Sequence, residues 1–298
     1  MEYNIGVDVG GSKILAILAS YDGDISIADR VKIPTRGDEG SPTVLGRIES
    51  SIDLLLSRQE LTSSSLSGIG LVVPGLIDKR TGMVIECPNI PELNGLDMRR
   101  LFEEKYGVPV GIDNDAHAAA LAEARDGAGS SLKDFVYVCL GTGIGCGIII
   151  NGELYKGADG VAGELSHIVF PGLGSLYKIA SGKVLKDKFS IEAEELQRLC
   201  EEGDPAAAEA FEQLVHFIGV GVGNIVTLFN PEAVVIGGGL SMLGDFLLKP
   251  LEEEARRTAF SISGRNVAFM TAAHSTDAGA IGAVYVCRNC IMEERGAQ

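Results

Sequence analysis

The apolar residues near the start of the chain follow the pattern of a β-hairpin. In residues 3–18, β-branched and other apolar residues stand on both sides of a tight glycine pair, Gly10-Gly11, which is typical of strand, turn and strand. Residues 135–150 repeat this pattern around a second glycine-rich turn. Each hairpin meets a further turn signal, Asp22-Gly23 or Asn151-Gly152, and then another short strand candidate. The pattern predicts an internal duplication.

The rest of the chain alternates between strand and helix periodicity. We predict, in chain order, a helix over 42–58, a buried strand over 68–75, a helix over 96–106, a strand over 108–112, an alanine-rich helix from 116, a loop-rich stretch over 153–182, helices within 190–229 and a strand over 233–236. Strands that alternate with helices indicate an α/β fold with a mainly parallel sheet and helical cover.

Length and composition favour two soluble domains. A chain of 298 residues with 46% hydrophobic content can bury two cores. We expect an N-terminal α/β domain over 1–115, with the C-terminal helix 279–298 as a candidate addition to it, and a second α/β domain over 116–278. No run of 18 apolar residues and no signal-peptide pattern are present, so we predict a cytoplasmic protein without a membrane partner.

Charge and cysteine content exclude further classes. A formal net charge of −16 without a local basic cluster argues against nucleic acid as a partner. The six cysteines are scattered, several of them in apolar strand candidates, which indicates a reduced compartment. Cys287-x-x-Cys290 is an isolated pair, whereas a zinc site needs more ligands.

Three consecutive polar residues mark the end of the predicted strand over 108–112. An Asp or Asn at this position is ordinarily an N-cap of the following helix. Asp113, Asn114 and Asp115 exceed what one cap requires, and the carboxyl ends of strands in open α/β sheets carry ligand groups. Both interpretations stay open, with one carboxylate as a candidate base. Glu164 and His167 form a second polar island, which is either structural or directed at one ligand.

The glycine-rich turns predict a phosphate site rather than a dinucleotide fold. Glycine lets backbone N–H groups approach phosphate oxygens closely. The second turn lacks the helix that a dinucleotide fingerprint requires, Gly237-Gly-Gly239 lacks an acidic ribose partner, and no P-loop motif occurs. We therefore expect a nucleotide bound between two related halves.

A set of motifs in order along nearly the whole chain resembles the ROK group of sugar kinases and repressors. The motifs are Asp8-x-Gly-Gly-Ser-Lys13, Pro74-Gly75, Cys87-Pro-Asn89, Asn114-Asp115-Ala-His-Ala-Ala-Ala, Gly141-Thr-Gly-Ile-Gly145, Gly163-Glu-x-x-His167, Ala180-Ser-Gly182, Gly237-Gly-Gly239 and Asp277-Ala-Gly-Ala-Ile-Gly. The resemblance implies a two-domain actin-like (ribonuclease H-like) ATPase fold with a ligand cleft between duplicated halves, and a homodimer.

The resemblance also implies roles for individual residues. The ATP phosphates would be held by Gly10, Gly11, Ser12, Lys13, Gly141, Thr142 and Gly143, and the adenosine by Gly237, Gly238 and Gly239. The sugar would be bound by Gly75, Asn89, Asn114, Asp115, Glu164 and His167, with Asp115 as the catalytic base. Asp8 is the candidate ligand of Mg²⁺, directly or through water, because hard cations prefer carboxylate oxygen.

These roles imply an ATP-dependent kinase acting on the 6-hydroxyl of a hexose, with glucose as the first candidate. The alternatives are an N-acetylmannosamine or N-acetylglucosamine kinase and a fructokinase. A sugar-responsive transcriptional regulator is the alternative from another class. Repressors of this group carry a helix-turn-helix segment ahead of the sugar-binding part, and seven residues precede Asp8 here.

The segment after His167 departs from the pattern of the group. Members usually carry a cysteine-rich stretch that binds zinc together with this histidine, whereas residues 167–182 contain no cysteine. Tyr177 stands where a sugar-binding glutamate is usual, Ser166 replaces a glycine, and the chain lacks tryptophan. The sequence therefore predicts a protein without zinc.

Chelators test this prediction. Treatment with EDTA should leave the thermal midpoint of the purified protein unchanged, because a single histidine cannot hold a structural ion that needs four ligands. Elemental analysis of protein purified without added metal provides the measurement. One zinc per chain, lost together with the folded structure, would contradict the prediction.

Overall fold

The structure, a computed structural model, describes residues 2–22, 24–78 and 80–296. The strands are β1 (Glu2–Val9), β2 (Lys13–Asp22), β3 (Asp24–Pro34), β4 (Leu66–Val73), β5 (Leu76–Ile77), β6 (Val84–Glu86), β7 (Val110–Asn114), β8 (Phe135–Leu140), β9 (Ile144–Ile150), β10 (Glu153–Leu154), β11 (Val169–Phe170), β12 (Gly174–Ser175), β13 (Ala233–Gly237) and β14 (Ala268–Thr271). The α-helices are α1 (Ser41–Arg58), α2 (Met98–Tyr106), α3 (Asp115–Arg125), α4 (Leu176–Ile179), α5 (Gly182–Phe189), α6 (Leu196–Glu201), α7 (Pro205–Phe229), α8 (Asp245–Thr258), α9 (Ser261–Asn266) and α10 (Ala278–Gly296).

The chain divides into two compact units. Among the described residues, unit 1 takes those of Met1–Asp126, Lys156–Ala162 and Asp277–Gln298, and unit 2 takes Gly127–Tyr155 and Gly163–Thr276. The boundary expected at residue 115 lies at the start of α3, whereas unit 1 extends to Asp126 because α3 packs along α10. Residues 297 and 298 of the expected C-terminal helix lie outside the described residues, as does Gly23 of the first turn signal.

Both units contain a sheet of the same topology. The strand order is β3-β2-β1-β4-β7 in unit 1 and β10-β9-β8-β13-β14 in unit 2. In each sheet, the first strand of the unit pairs antiparallel with the next strand and parallel with a later one, which in turn pairs parallel with the last strand. The predicted duplication is therefore confirmed, and both hairpins form as the glycine pattern indicated.

Helix α1 shows how closely the hydrophobic period sets an element of unit 1. The predicted helix over 42–58 is observed as Ser41–Arg58, with Pro42 in its first turn. The five apolar positions that predicted the helix are buried, namely Val44, Ile48, Ile52, Leu55 and Leu56, whereas Leu54 lies off this stripe and is exposed. This stripe faces strands β2 and β3 of the sheet.

Helix α10 packs directly on the backbone of the sheet in unit 1. Gly6, Gly70 and Gly111 are register partners on three neighbouring strands, and they form a row of glycines across β1, β4 and β7. A side chain at any of these positions would overlap backbone oxygens of α10, as at Gly70 with Ala283. The glycine row thus lets the helix approach the sheet more closely than side chains allow.

Unit 2 is organised around α7, which packs against α8. In the part of the chain that the structure describes, α7 is the one helix long and apolar enough to cross a membrane by length and composition alone. Its buried residues, among them Ile218, Val222 and Val226, belong to the core of unit 2. The packing of a core helix therefore accounts for its apolar composition.

Two glycine substitutions test the packing of α10. We expect Gly70→Ala to lower the free energy of unfolding by about 1–3 kcal/mol or more, because the new methyl group overlaps the α10 backbone. Gly46→Ala, in an open position of α1, should raise it by roughly 0.5–1 kcal/mol through helix propensity. Urea unfolding of both variants measures the difference. Equal effects would show that the glycine row has no packing role.

Candidate active-site residues

The corner between β7 and α3 brings Asn114 and Gly75 together. Asn114 caps α3, since its side-chain oxygen accepts from the backbone N–H groups of Ala116 at 2.8 Å and His117 at 3.4 Å. Its amide nitrogen donates to the carbonyl of Gly75 at 2.8 Å. Asn114 therefore performs the capping role, and one amide N–H remains for a ligand.

Asp115 is the first residue of α3 and its side chain is exposed. The carboxylate accepts from the backbone N–H of Ala116 at 2.9 Å. Because Asn114 is the cap, helix capping does not explain the choice of aspartate at this position. The helix N-terminus favours a negative charge there.

Asp8, at the end of β1, lies in the electrostatic field of Asp115. Burial and, second, the charge of Asp115 raise the pKa of Asp8 to about 7, although Lys13 acts in the opposite direction. Gly279 of α10 packs against the Asp8 carboxylate, which a side chain at this position would displace. Unit 1 therefore brings together three residues predicted from the sequence: Asp8, Lys13 and Asp115.

The first glycine-rich turn connects β1 to β2. Gly10 N–H donates to the carbonyl of Lys13 at 2.9 Å and closes the turn, while Gly11 and Ser12 are exposed. A Cβ added to Gly11 would lie 3.1 Å from the Cβ of Asn89, so the turn lies beside that exposed asparagine. Five predicted ligands, four for phosphate and one for sugar, are therefore neighbours in unit 1.

Position 75 requires glycine because of its backbone conformation and its packing. Its backbone has a φ of 115°, and a side chain would overlap the carbonyl of Glu86. The glycine therefore lets the segment after β4 pass close to β6, and it leaves the Gly75 carbonyl in reach of Asn114.

The second glycine-rich turn connects β8 to β9 in unit 2. Gly141 N–H donates to the carbonyl of Gly143 at 3.0 Å. The first turn of α5 holds this loop, since Gly182 N–H donates to Gly141 and Lys183 N–H to Thr142, each at 2.9 Å. A side chain at Gly141 would meet nothing within 4 Å, so neighbouring protein atoms do not explain this glycine.

Tyr177, the residue found in place of a glutamate, lies beside this turn. A Cβ added to Gly143 would lie 3.8 Å from the Tyr177 ring, which is ordinary van der Waals contact. The tyrosine thus borders the glycine-rich turn of unit 2.

Glu164 and His167 pair with each other at the surface of unit 2. His167 Nδ1 lies 3.2 Å from a carboxylate oxygen of Glu164 and 3.0 Å from the hydroxyl of Ser166. The His167 side chain is 79% exposed and that of Glu164 is 49% exposed. Gly163, with φ 95°, packs on the backbone of Cys146 and fixes the start of this segment. Exposure of both side chains is compatible with ligand binding.

The glycines that follow β13 divide into two kinds. A side chain at Gly237 would overlap Tyr137, and one at Gly238 would overlap Leu140. Packing within unit 2 therefore explains both. Gly239 is exposed and has open space around it, so it is the member of this group for which a ligand role is the better explanation.

The segment that follows His167 forms the short hairpin of β11 and β12. Over residues 2–22, 24–78 and 80–296, no three His, Cys, Asp or Glu side chains form a group that could hold a metal ion. The absence of zinc remains a prediction.

One cluster was missed by the sequence reasoning. Asp113, His117 and Lys156 lie together in unit 1, with His117 Nδ1 3.1 Å and Lys156 Nζ 2.6 Å from the carboxylate of Asp113. The usable signal was that two polar residues, Asp113 and His117, lie close in the chain on either side of the cap; helical i, i+4 spacing does not apply, because Asp113 belongs to β7. Lys156 gave no such signal because it lies far along the chain.

The known proteins that are similar to this chain include sugar kinases and repressors. The glucokinase of Halalkalibacterium halodurans is 32% identical over 308 residues, covering 93% of this chain and 92% of that protein. The xylose repressor of Caldicellulosiruptor bescii is 29% identical, covering 86% of this chain and 70% of the repressor. The crystal structure of a ROK family glucokinase from Streptomyces griseus, in complex with glucose and AMPPNP, matches with a TM-score of 0.81 and 28% identity over 96% of this chain and 99% of that one.

The comparisons also settle the fold class. The solved ROK kinases have the actin-like ATPase fold, and the predicted fold class is therefore confirmed. A model of the ROK family matches residues 4–289. The chain belongs to the ROK family.

Proposed function

We propose that this protein is an ATP-dependent sugar kinase that transfers the γ-phosphoryl group to the 6-hydroxyl of a hexose, with glucose as the first candidate. The similarity to a glucokinase over 92% of that protein's length supports a kinase. The complex of the Streptomyces griseus enzyme with glucose and AMPPNP supports this pair of substrates. The observation that carries the proposal is the placement of two carboxylates in unit 1, Asp8 on β1 and Asp115 at the start of α3, where the charge of Asp115 acts on Asp8.

Asp115 is the proposed general base. Its carboxylate is exposed at the N-terminus of α3, and Asn114 relieves it of the capping role. Accepting the proton of the attacking hydroxyl group contributes on the order of 10²–10⁴-fold to such reactions. The remaining amide N–H of Asn114 and the exposed side chain of Asn89 are proposed to orient the sugar hydroxyls in unit 1.

Asp8 is proposed to hold Mg²⁺, directly or through water. The electrostatics of Asp8 fit a cation ligand. Burial and the charge of Asp115 raise the pKa of Asp8 to about 7, and a nearby cation would stabilise the ionised carboxylate against both. Mg²⁺ needs only one or two protein carboxylates besides phosphate oxygens. When bound, the ion neutralises charge on the phosphates. Lys13, next to Asp8, adds a fixed positive charge.

The glycine-rich turns are the proposed phosphate ligands. Gly10, Gly11, Ser12 and Lys13 would serve in unit 1, and the range 141–143 in unit 2. Phosphoryl transfer needs positioning and charge neutralisation more than covalent chemistry, and backbone N–H groups supply both. Gly239 is the residue of the third glycine group proposed to contact adenosine, with Gly237 and Gly238 shaping its backbone.

The choice of sugar is proposed to depend on Glu164 and His167 in unit 2. A carboxylate and an imidazole can accept from and donate to neighbouring hydroxyl groups, which discriminates against sugars that lack them. Initial rates with Mg-ATP on a panel of hexoses, N-acetylhexosamines, fructose and acidic sugars test whether glucose is the substrate. Glucose should give the highest kcat/KM, and an N-acetylhexosamine or fructose in first place would replace it as the substrate.

A sugar-responsive regulator is the second candidate, and the similarity to a xylose repressor favours it. A kinase consumes ATP and sugar at equal rates, whereas a regulator binds sugar without consuming ATP. Equal rates of ADP and sugar phosphate formation therefore separate the two. We further propose a cytoplasmic homodimer without nucleic-acid or membrane partners. The net charge of −16 supports the absence of a nucleic-acid partner, and the homodimer rests on the resemblance to the family.

Replacement of the base is the first test of mechanism. Asp115→Asn should lower kcat by at least about 100-fold while the affinities for ATP and sugar stay nearly unchanged, because size is kept and the proton acceptor is lost. Asp97→Asn is the matched control, since Asp97 caps α2 in the same unit and asparagine caps equally well. If Asp115→Asn keeps more than about a tenth of the wild-type kcat, Asp115 is not the base.

A glycine substitution tests the phosphate turns. Gly143→Val should weaken ATP binding by about tenfold or more, because a branched side chain would separate the loop N–H groups from the phosphates. The folded protein accommodates a Cβ here with only an ordinary contact to Tyr177, whereas Gly11→Val would also crowd Asn89. Isothermal titration with AMPPNP gives the affinities, with Gly46→Ala as the control. Unchanged affinity in folded Gly143→Val would remove this turn from the site.

A further inference from the structure

His117 is a buried histidine that the proposed reaction does not use directly. Its side chain is 5% exposed, and that of Asp113 is 8% exposed. Nδ1 of His117 lies 3.1 Å from Oδ1 of Asp113, and Nε2 lies 3.0 Å from the backbone carbonyl oxygen of Ala162. The imidazole ring therefore bridges strand β7 and the segment Lys156–Ala162, within unit 1.

The two partners of the ring determine its protonation. A backbone carbonyl can only accept a hydrogen bond, and an ionised carboxylate can only accept as well. Asp113 is held as a carboxylate, because it also accepts from the N–H of Asn114 at 2.8 Å and lies 2.6 Å from the ammonium of Lys156. Both ring nitrogens of His117 must then donate, so the ring is an imidazolium.

The directions of the pKa shifts agree with this geometry. Burial alone would lower the pKa of His117, but the hydrogen bond and charge of Asp113, together with the carbonyl of Ala162, raise it above its ordinary value. For Asp113, burial alone would raise the pKa, but the hydrogen bond from His117 and the charge of Lys156 lower it.

The segment Lys156–Ala162 is a closed loop attached at both ends to this pair. Ala162 N–H donates to the carbonyl of Lys156 at 3.1 Å, which brings the two ends of the loop together. Lys156 is ion-paired to Asp113, and the Ala162 carbonyl is bound to His117. Gly163 and Glu164 follow Ala162 directly in the chain.

His117 and Asp113 both form hydrogen bonds with Asn114, the residue next to the proposed base. The backbone N–H of His117 donates to the cap oxygen of Asn114, and Asp113 accepts from the backbone N–H of Asn114. Asp115 lies between Asn114 and His117 in sequence, so its backbone is fixed on both sides. Movement of His117 or Asp113 would displace the carboxylate of Asp115.

We propose that His117 is a positioning residue. As an imidazolium it donates to both Asp113 and the Ala162 carbonyl, and it thereby holds the loop Lys156–Ala162 and the first turn of α3 in place. This is the geometry that proton transfer to Asp115 needs. The part that concerns Asp115 rests on the proposed kinase function. The bridge itself does not.

The proposal predicts a specific response to pH. The ionisable groups on the elements around His117 include Asp113 on β7, Lys156 on the loop, Asp115, Glu123 and Arg125 on α3, and Tyr285, Cys287, Arg288 and Cys290 on α10, which packs against α3. The charges that shift the pKa of His117 are Asp113, which raises it, and Lys156, which lowers it. Because the pKa is raised in the folded state, the bridge is complete below the ordinary histidine value and is lost as pH rises through the raised value.

The first experiment observes the imidazolium directly. The chain has four histidines, His117, His167, His216 and His274, so ring signals in ¹H–¹⁵N NMR are few, and loss of one set in His117→Gln assigns it. We expect the His117 ring to carry protons on both nitrogens at pH 7 and to titrate above the ordinary pH range of a histidine. A neutral His117 ring at pH 7 would overturn the proposal, and this measurement needs only the wild-type fold.

The second experiment separates positioning from binding. His117→Gln has a single donating nitrogen, which cannot replace both Nδ1 and Nε2, so the contacts to Asp113 and Ala162 cannot both be kept. We therefore expect kcat to fall at least about tenfold while KM for sugar and ATP changes by less than about threefold. The wild-type kcat should decline as pH rises through the pKa of His117, and this decline should be absent in His117→Gln. His216→Gln is the matched control, since His216 is an exposed histidine paired with Glu254 at 2.7 Å in unit 2.

Hydrogen exchange measures the loop independently of any reaction. His117→Gln should increase exchange of the amides in 156–162 at constant pH, and His216→Gln should not. Unchanged exchange in this loop, or a His117→Gln variant with the kcat and pH profile of the wild type, would overturn the proposal. If the wild type phosphorylates no sugar, the proposed function and the positioning of Asp115 both fail, and NMR and exchange still decide whether the bridge exists.

Discussion

The contact between α10 and the glycine row of the sheet is the constraint on which unit 1 depends. Because Gly6, Gly70 and Gly111 carry no side chains, the helix lies against the strand backbones. The same helix then reaches two functional elements. Gly279 packs on the carboxylate of Asp8, and Gly282 packs on the backbone of α3 at Ala118, where a side chain would overlap it. One helix therefore sets the positions of the proposed metal ligand and of the helix that carries the proposed base.

Three aspartates at the carboxyl ends of β1 and β7, or directly after them, have different environments. Asp113 lies between two cations, His117 and Lys156, and its pKa is lowered. Asp8 is buried near the charge of Asp115, and its pKa is raised to about 7. Asp115 is exposed at a helix N-terminus. Because the surroundings of the three carboxylates differ in this way, one group can be structural, another can bind a cation and a third can accept a proton.

The sequence predicted the hairpins, the duplication and α1 because each depends on local periodicity and turn chemistry. It located the polar corner at 113–115 for the same reason. It did not separate the roles there, because both Asn114 and Asp115 can cap a helix, and only the hydrogen bonds show that Asn114 does so. The cluster with Lys156 and the glycine row escaped prediction, since both depend on contacts between residues distant in the chain. The roles of Glu164 and His167 remain proposals.

The position of α10 in the chain has a consequence for synthesis. The strands of unit 1 precede unit 2 in the chain, whereas the helix that covers their glycine row follows it. During translation, the strands of unit 1 therefore leave the ribosome before α10 does, and all of unit 2 is translated in between. Translation proceeds at roughly 5–20 residues per second. Unit 2, although later in sequence, is the first to have its complete set of elements. The order in which the two units can be completed during synthesis is thus the reverse of the order of their strands.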